Sequence, residues 1–135
     1  FALREGKNIF PAPVLSDGTL RFAALTAALF QLDMPDLLLL EEVENGIHPT
    51  RLRLLVELLR SRTKAPSPQI LATTHSPILL AWLKPEDYPH TFYCVRDENG
   101  LSVIRPVTDI PQFQEIVQRK PFSDLFAEGW LESAL

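Results

Sequence analysis

The stretch Leu37-Leu38-Leu39-Leu40-Glu41-Glu42-Val43-Glu44-Asn45-Gly46-Ile47-His48-Pro49 decides how the remaining residues are read. Four consecutive leucines followed at once by two carboxylates predict a strand buried on both faces that delivers charge to its exposed C-terminal end. Ligand sites of open α/β sheets lie at such edges. An acidic pair there can hold a hydrated Mg2+ and orient a water, which is what hydrolysis of a phosphoanhydride requires of a protein. Glu41 and Glu42 are adjacent, so on an extended backbone they point to opposite sides. This argues against the facing carboxylates of a glycosidase and for two acids with different jobs.

Downstream, Pro49 occupies a favourable first helical position, and Leu52, Leu55, Val56 and Leu59 recur at helical spacing through Arg62. Arg51, Arg53, Arg60 and Arg62 read as the solvated face of this helix, with Glu57 spaced for pairing to Arg53 and Arg60. Residues 61–68 read as a loop, and Gln69-Ile70-Leu71-Ala72-Thr73-Thr74 as a second buried strand ending on His75-Ser76-Pro77. Strand, helix, strand predicts a right-handed crossover and a parallel sheet. His75 then shares a sheet edge with the acids, where a neutral imidazole can donate to a γ-phosphate or place the attacking water.

Upstream, residues 1–13 lack periodicity and read as an extended or loop segment. A strong helix comes next over Phe22–Phe30, with Ser16 as N-cap and Gly18 near the first turn leaving backbone amides uncovered. Such a start suits a phosphate. Asp33-Met34-Pro35-Asp36 closes the helix. Ile78 to Leu83 reads as a short helix, and Asn99-Gly100 between two β-rich runs predicts an antiparallel hairpin. The aromatic residues of the tail, from Phe113 to Trp130, are expected to cover the flank of the domain and not to bind a cofactor.

The 135 residues, 46% of them hydrophobic, suit a single domain. Thirteen Lys and Arg against seventeen Asp and Glu leave a net charge of -4, so only a local basic patch would serve a polyanionic partner. The single cysteine, Cys94, sits in an apolar run and is expected to be a buried, inert thiol. No apolar run approaches the roughly 20 residues that span a bilayer, and the N-terminus lacks the regions of a signal peptide. A cytoplasmic protein with no membrane partner is the expectation.

Three motifs now stand in order, and together they resemble the C-terminal half of an ABC-type ATPase head, of the branch that includes SMC, RecF and OLD-like proteins and related AAA-type ATP-binding proteins. Leu15-Ser16-Asp17-Gly18-Thr19-Leu20-Arg21 resembles the signature motif, Leu37 to Glu42 the Walker B strand, and Ala72-Thr73-Thr74-His75-Ser76-Pro77 the switch-histidine loop. Glu44-Asn45-Gly46-Ile47-His48-Pro49 matches the D-loop region, and the likeness runs from about Val14 to Val95. The resemblance implies a partial P-loop NTPase fold, a mainly parallel sheet flanked by helices, with the C-terminal β-hairpin added. It implies that ATP and Mg2+ are the ligands. Ser16, Gly18 and Arg21 would meet a nucleotide held mainly by a second protomer, Glu41 would help hold Mg2+, Glu42 would polarise the attacking water, and His75 would sense the γ-phosphate. Asn45 and His48 would lie across the interface of a homodimer. Two departures are Glu41, where the family usually has Asp, and Val43, where Pro is common.

The five glycines, at positions 6, 18, 46, 100 and 129, nowhere form the G-x-x-x-x-G-K-[ST] loop that cradles the α- and β-phosphates. The expectation is a catalytically incomplete piece whose P-loop lobe lies upstream of Phe1 or on another polypeptide, the abrupt start favouring the first. The full protein is then an ATPase with composite sites. The alternative is a nucleotide-gated interaction module that no longer hydrolyses, which Glu41 with its extra methylene keeps open. A metal-dependent nuclease would need more clustered acids than Glu41 and Glu42 supply. DNA is a further partner implied by the branch for the full-length protein, although no basic strip or aromatic platform supports it here.

Overall fold

The computed structural model describes residues 1–33, 35–63 and 68–133. Chain contacts divide the protein into two compact units, Phe1–His75 and Ser76–Leu135.

The first unit begins with a hairpin of β1 (Ala2–Glu5) and β2 (Asn8–Pro11), in the segment expected to be extended or loop. Gly6, at φ +60°, makes the tight turn between strands too short to show a period. Helix α1 (Asp17–Phe30) comes next, and Ser16 is its N-cap, its hydroxyl accepting the Thr19 amide at 3.2 Å. Strand β3 (Leu37–Leu40) pairs in parallel with β4 (Gln69–Ala72), Leu37 opposite Gln69 and Leu40 opposite Ala72. Between them runs α2 (Pro49–Arg62), which packs on α1 and buries Leu52, Leu55 and Val56. The i,i+4 pair Arg53–Glu57 forms at 3.1 Å. Of the loop expected at 61–68, residues 61 and 62 are helical, and 64–67 lie outside the described residues, as does Met34 in the expected turn before β3.

The described residues do not form a mainly parallel sheet. Among the described residues there are three separate two-stranded sheets, of which β3–β4 alone is parallel. The leucine strand is likewise not buried on both faces. Leu37 is 49% and Leu39 64% exposed, on the face they share with the 58%-exposed Leu71, while Leu38 and Leu40 are half-buried. A strand flanked by one neighbour has its apolar residues covered only where helices pack on it, so this face alternates with the other at the period of the pleat.

In the second unit, α3 (Pro77–Leu80) precedes a hairpin of β5 (Phe92–Arg96) and β6 (Ser102–Pro106). The Asp97 carboxylate closes the connecting turn by accepting the amides of Asn99 and Leu101 at 2.9 and 2.8 Å. Cys94 is exposed, which corrects the expectation of a buried thiol. It pairs with Ile104 across the hairpin, out of step with Tyr93, which turns into the core; alternation along the strand decided this, not the apolarity of the run.

Helices α4 (Phe113–Arg119), α5 (Phe122–Ala127) and α6 (Trp130–Ser133) complete the unit. Two of its tail aromatics are core and not merely flank: Phe113 and Phe122 meet each other and Tyr88 edge to face with ring centroids 5.2 to 5.9 Å apart. Burial, and then the Asp87 carboxylate, push the Tyr88 phenol pKa upward. Phe113 is 1% exposed, so Phe113→Ala is expected to destabilise this unit by about 3–5 kcal/mol. Chemical denaturation monitored by tyrosine fluorescence checks it; an unmoved midpoint would mean that the cluster does not hold the unit together. Among the described residues no helix is long and apolar enough to cross a membrane.

Candidate functional site

The two parallel strands end side by side, and Thr73 ties together the segments that leave them. Its amide donates to the Leu40 carbonyl at 2.9 Å, its carbonyl accepts the Val43 amide at 3.1 Å, and its hydroxyl accepts the Glu42 amide at 3.0 Å. Glu42 leaves the strand at φ 44°, a left-handed conformation that costs an L-residue about 1–2 kcal/mol. Backbone strain of this kind gathers at functional sites. The loop then turns on itself, Asn45 N–H to the Glu42 carbonyl and Ile47 N–H to the Glu44 carbonyl, both at 2.9 Å, with Gly46 at φ +72°. Val43 and Ile47 anchor it, being buried on either side of the turn.

Helix α1 grips this loop twice. Arg21 Nη2 donates to the Glu41 carbonyl at 2.5 Å and the Glu42 carbonyl at 2.9 Å, so one guanidinium holds both acidic residues by their backbone. Gly18 lies buried against the Gly46 carbonyl, where an added Cβ would stand 1.7 Å from the oxygen. Its position is thus fixed by close backbone approach, and its Cα is covered, although its place near the first turn suggested an open one. At the start of the same helix, the Ser16 and Thr19 hydroxyls are 2.9 Å apart, and Arg51 Nη1 donates to Thr19 Oγ1 at 3.0 Å. Arg51 therefore does more than sit on a solvated face.

Glu41, Glu42 and Arg21 line one groove of about 660 Å³ with the small residues of α1, and Arg21 and Asn45 line a smaller hollow beside it. The Asn45 side-chain amide approaches Glu42 Oε2 at 3.4 Å. Ser16 and His48 line neither. His48 caps α2, its Nδ1 accepting the Thr50 amide at 3.3 Å. His75 lies three residues past the end of β4, where its amide donates to Glu44 Oε1 at 2.8 Å. Among the described residues no group of three or more His, Cys, Asp or Glu side chains forms a metal cage. Thr73, Thr19 and Glu44 escaped sequence reasoning as site residues. A hydroxyl at the end of an apolar run and a third acid after the pair were the available signals.

A family model described as "AAA domain, putative AbiEii toxin, Type IV TA system" matches residues 1–81, which include every one of these groups. The chain belongs to this family. No curated protein matches the sequence. The AAA domain also resembles in fold a solved structure from work on ATP-driven dimerization and DNA-stimulated activation of SMC ATPases, with a TM-score of 0.60 and 14% identity. The match covers 84% of this chain and 66% of the other. The chain is accordingly α/β, built of small sheets and helices, and similar in fold to that SMC ATPase structure.

Proposed function

We propose that this AAA domain is the Walker B and switch-histidine part of an ATP-hydrolysing head that works through composite sites at a head-to-tail dimer. The observation that carries the reading is the β3–β4 pairing, with Glu42 and His75 in the segments that leave two adjacent strand ends and that Thr73 ties together. Glu42 is assigned the attacking water and His75 the γ-phosphate.

The donor set fits Mg2+ in this setting. Mg2+ bound with a nucleotide takes one or two carboxylates and fills the rest of its octahedron with phosphate oxygens and water, so exposed Glu41 beside Glu42 suffices where a closed cage would not. The ion, when bound, neutralises charge developing on the transferred phosphoryl group. Arg21 keeps the two acids in place by their carbonyls, leaving their carboxylates to other partners.

Ser16 is assigned to a nucleotide held by the second protomer. With Arg51 donating to Thr19 Oγ1, the Thr19 hydroxyl can donate its hydrogen bond to Ser16 Oγ, which also accepts from the Thr19 amide. The Ser16 O–H is then left to donate outward, at a helix start that favours anions. Asn45 and His48 are assigned to the same interface, whereas Gly18, covered by the Gly46 carbonyl, holds α1 on the acidic loop.

The α- and β-phosphates need a glycine-rich loop that these 135 residues lack. The bare face carrying Leu37, Leu39 and Leu71 supports a further lobe packed there, since two strands with an uncovered apolar face are marginal by themselves. Dimerization driven by ATP and stimulation by DNA are described for the SMC ATPases; a homodimer and a DNA partner are proposed for the whole protein on that likeness. The 135-residue chain alone is expected to bind ATP poorly and release no measurable phosphate. A rate comparable to that of the intact protein in a phosphate-release assay would contradict the composite site.

A further inference from the structure

We propose that Glu44 is a positioning residue that sets His75 relative to Glu42, a deepening that rests on the ATPase reading for its catalytic consequence. Glu44 belongs to the loop that leaves β3, two residues past the strained Glu42, and its carbonyl is held in the turn by the Ile47 amide at 2.9 Å. Its side chain leaves that turn and crosses to the other strand end, where Oε1 accepts the His75 amide at 2.8 Å.

The crossing falls where the β3–β4 backbone ladder stops. The last ladder bond runs from Val43 N–H to the Thr73 carbonyl at 3.1 Å, and two residues later the carboxylate takes over as partner of the chain. His75 is therefore placed by a group carried on the Glu42 loop. Any movement of that loop on binding a ligand is passed to the histidine backbone through this hydrogen bond.

The other carboxylate oxygen shows what the contact requires. Glu44 Oε2 is buried and has no hydrogen-bond partner among the described residues. A carboxylate valued for its charge would have a cation or several donors around both oxygens. Here one acceptor oxygen at the right distance does the placing. An amide of the same shape keeps that acceptor, whereas truncation leaves the His75 amide without it.

Glu44→Ala and Glu44→Gln in the intact protein separate placement from charge. In the nucleotide-free protein, hydrogen exchange at the His75 amide is expected to quicken about tenfold in Glu44→Ala and to stay within about threefold of the parent in Glu44→Gln. Turnover should change in parallel, with kcat down about tenfold and KM within about twofold for the alanine variant, and near-parent values for the glutamine one. Unchanged His75 exchange in Glu44→Ala overturns the placement whatever the protein catalyses, and a glutamine variant as impaired as the alanine one overturns it in favour of charge. Exchange that responds while kcat does not removes the catalytic consequence. If the intact parent hydrolyses no ATP and the exchange pattern still appears, the ATPase reading fails and the placement stands.

Discussion

Glu42→Gln in the intact protein is expected to slow ATP turnover by about 100-fold or more, the usual contribution of a positioned general base, while nucleotide-driven dimers persist. The amide has the shape of the carboxylate but cannot take a proton or polarise water as strongly. It should also tolerate the left-handed backbone at φ 44°, because Gln and Glu meet the same steric limits there. The Arg21 clamp acts on the carbonyl of residue 42 and the Thr73 hydroxyl on its amide, so neither is lost. ATP binding and assembly are thereby separated from hydrolysis. Phosphate release together with size-exclusion chromatography in ATP reads both quantities; turnover at the parent rate would take Glu42 out of its assigned role and favour a module that clamps without hydrolysing.

Gly18→Ala provides the second large effect, and its sign is informative. Helix propensity alone would make the alanine variant more stable by at most about 1 kcal/mol, since Gly18 lies in the first turn of α1. The added Cβ, however, would stand 1.7 Å from the Gly46 oxygen and 2.6 Å from its carbonyl carbon, and both are backbone atoms that no rotamer change can move aside. Either α1 shifts off the acidic loop or the loop opens, and overpacking of this kind costs about 1–3 kcal/mol, sometimes more. The clash should win. Denaturant unfolding is expected to show a net loss of about 2 kcal/mol, accompanied by lower ATPase activity as Arg21 is drawn away from the Glu41 and Glu42 carbonyls. A variant as stable as the parent would show that helix and loop do not meet this closely.

Neither result depends on the extent of the β-sheet, and it is there that the amino-acid pattern was least informative. Four leucines in a row are consistent with a doubly buried strand, yet burial belongs to the neighbours and not to the strand. With β4 its one partner among the described residues, half of the leucine face stays open. The N-terminal hairpin is illegible in the residues because two four-residue strands around Gly6 carry no period to detect. The exposure of Cys94 is hidden for a related reason: an apolar run says nothing of which alternate residues turn inward.

Local chemistry was legible wherever a signal acts within a few residues. Ser16 as cap of α1, Pro49 opening α2, the Arg53–Glu57 pair and the Asn99-Gly100 turn each depend on backbone geometry or charge over a single turn, so the residues themselves determine them. The order of acidic strand end, loop and histidine strand end also came from sequence, because a crossover helix between two apolar runs leaves a parallel pairing as the natural outcome. Tertiary structure alone decided which atoms bind that edge into a unit: Arg21 on two carbonyls 20 and 21 residues away, Gly18 beneath Gly46, and Glu44 on an amide 31 residues along the chain. Such contacts join segments whose separation carries no periodic trace, and only the packing of α1 and β4 around the loop brings them within hydrogen-bond reach.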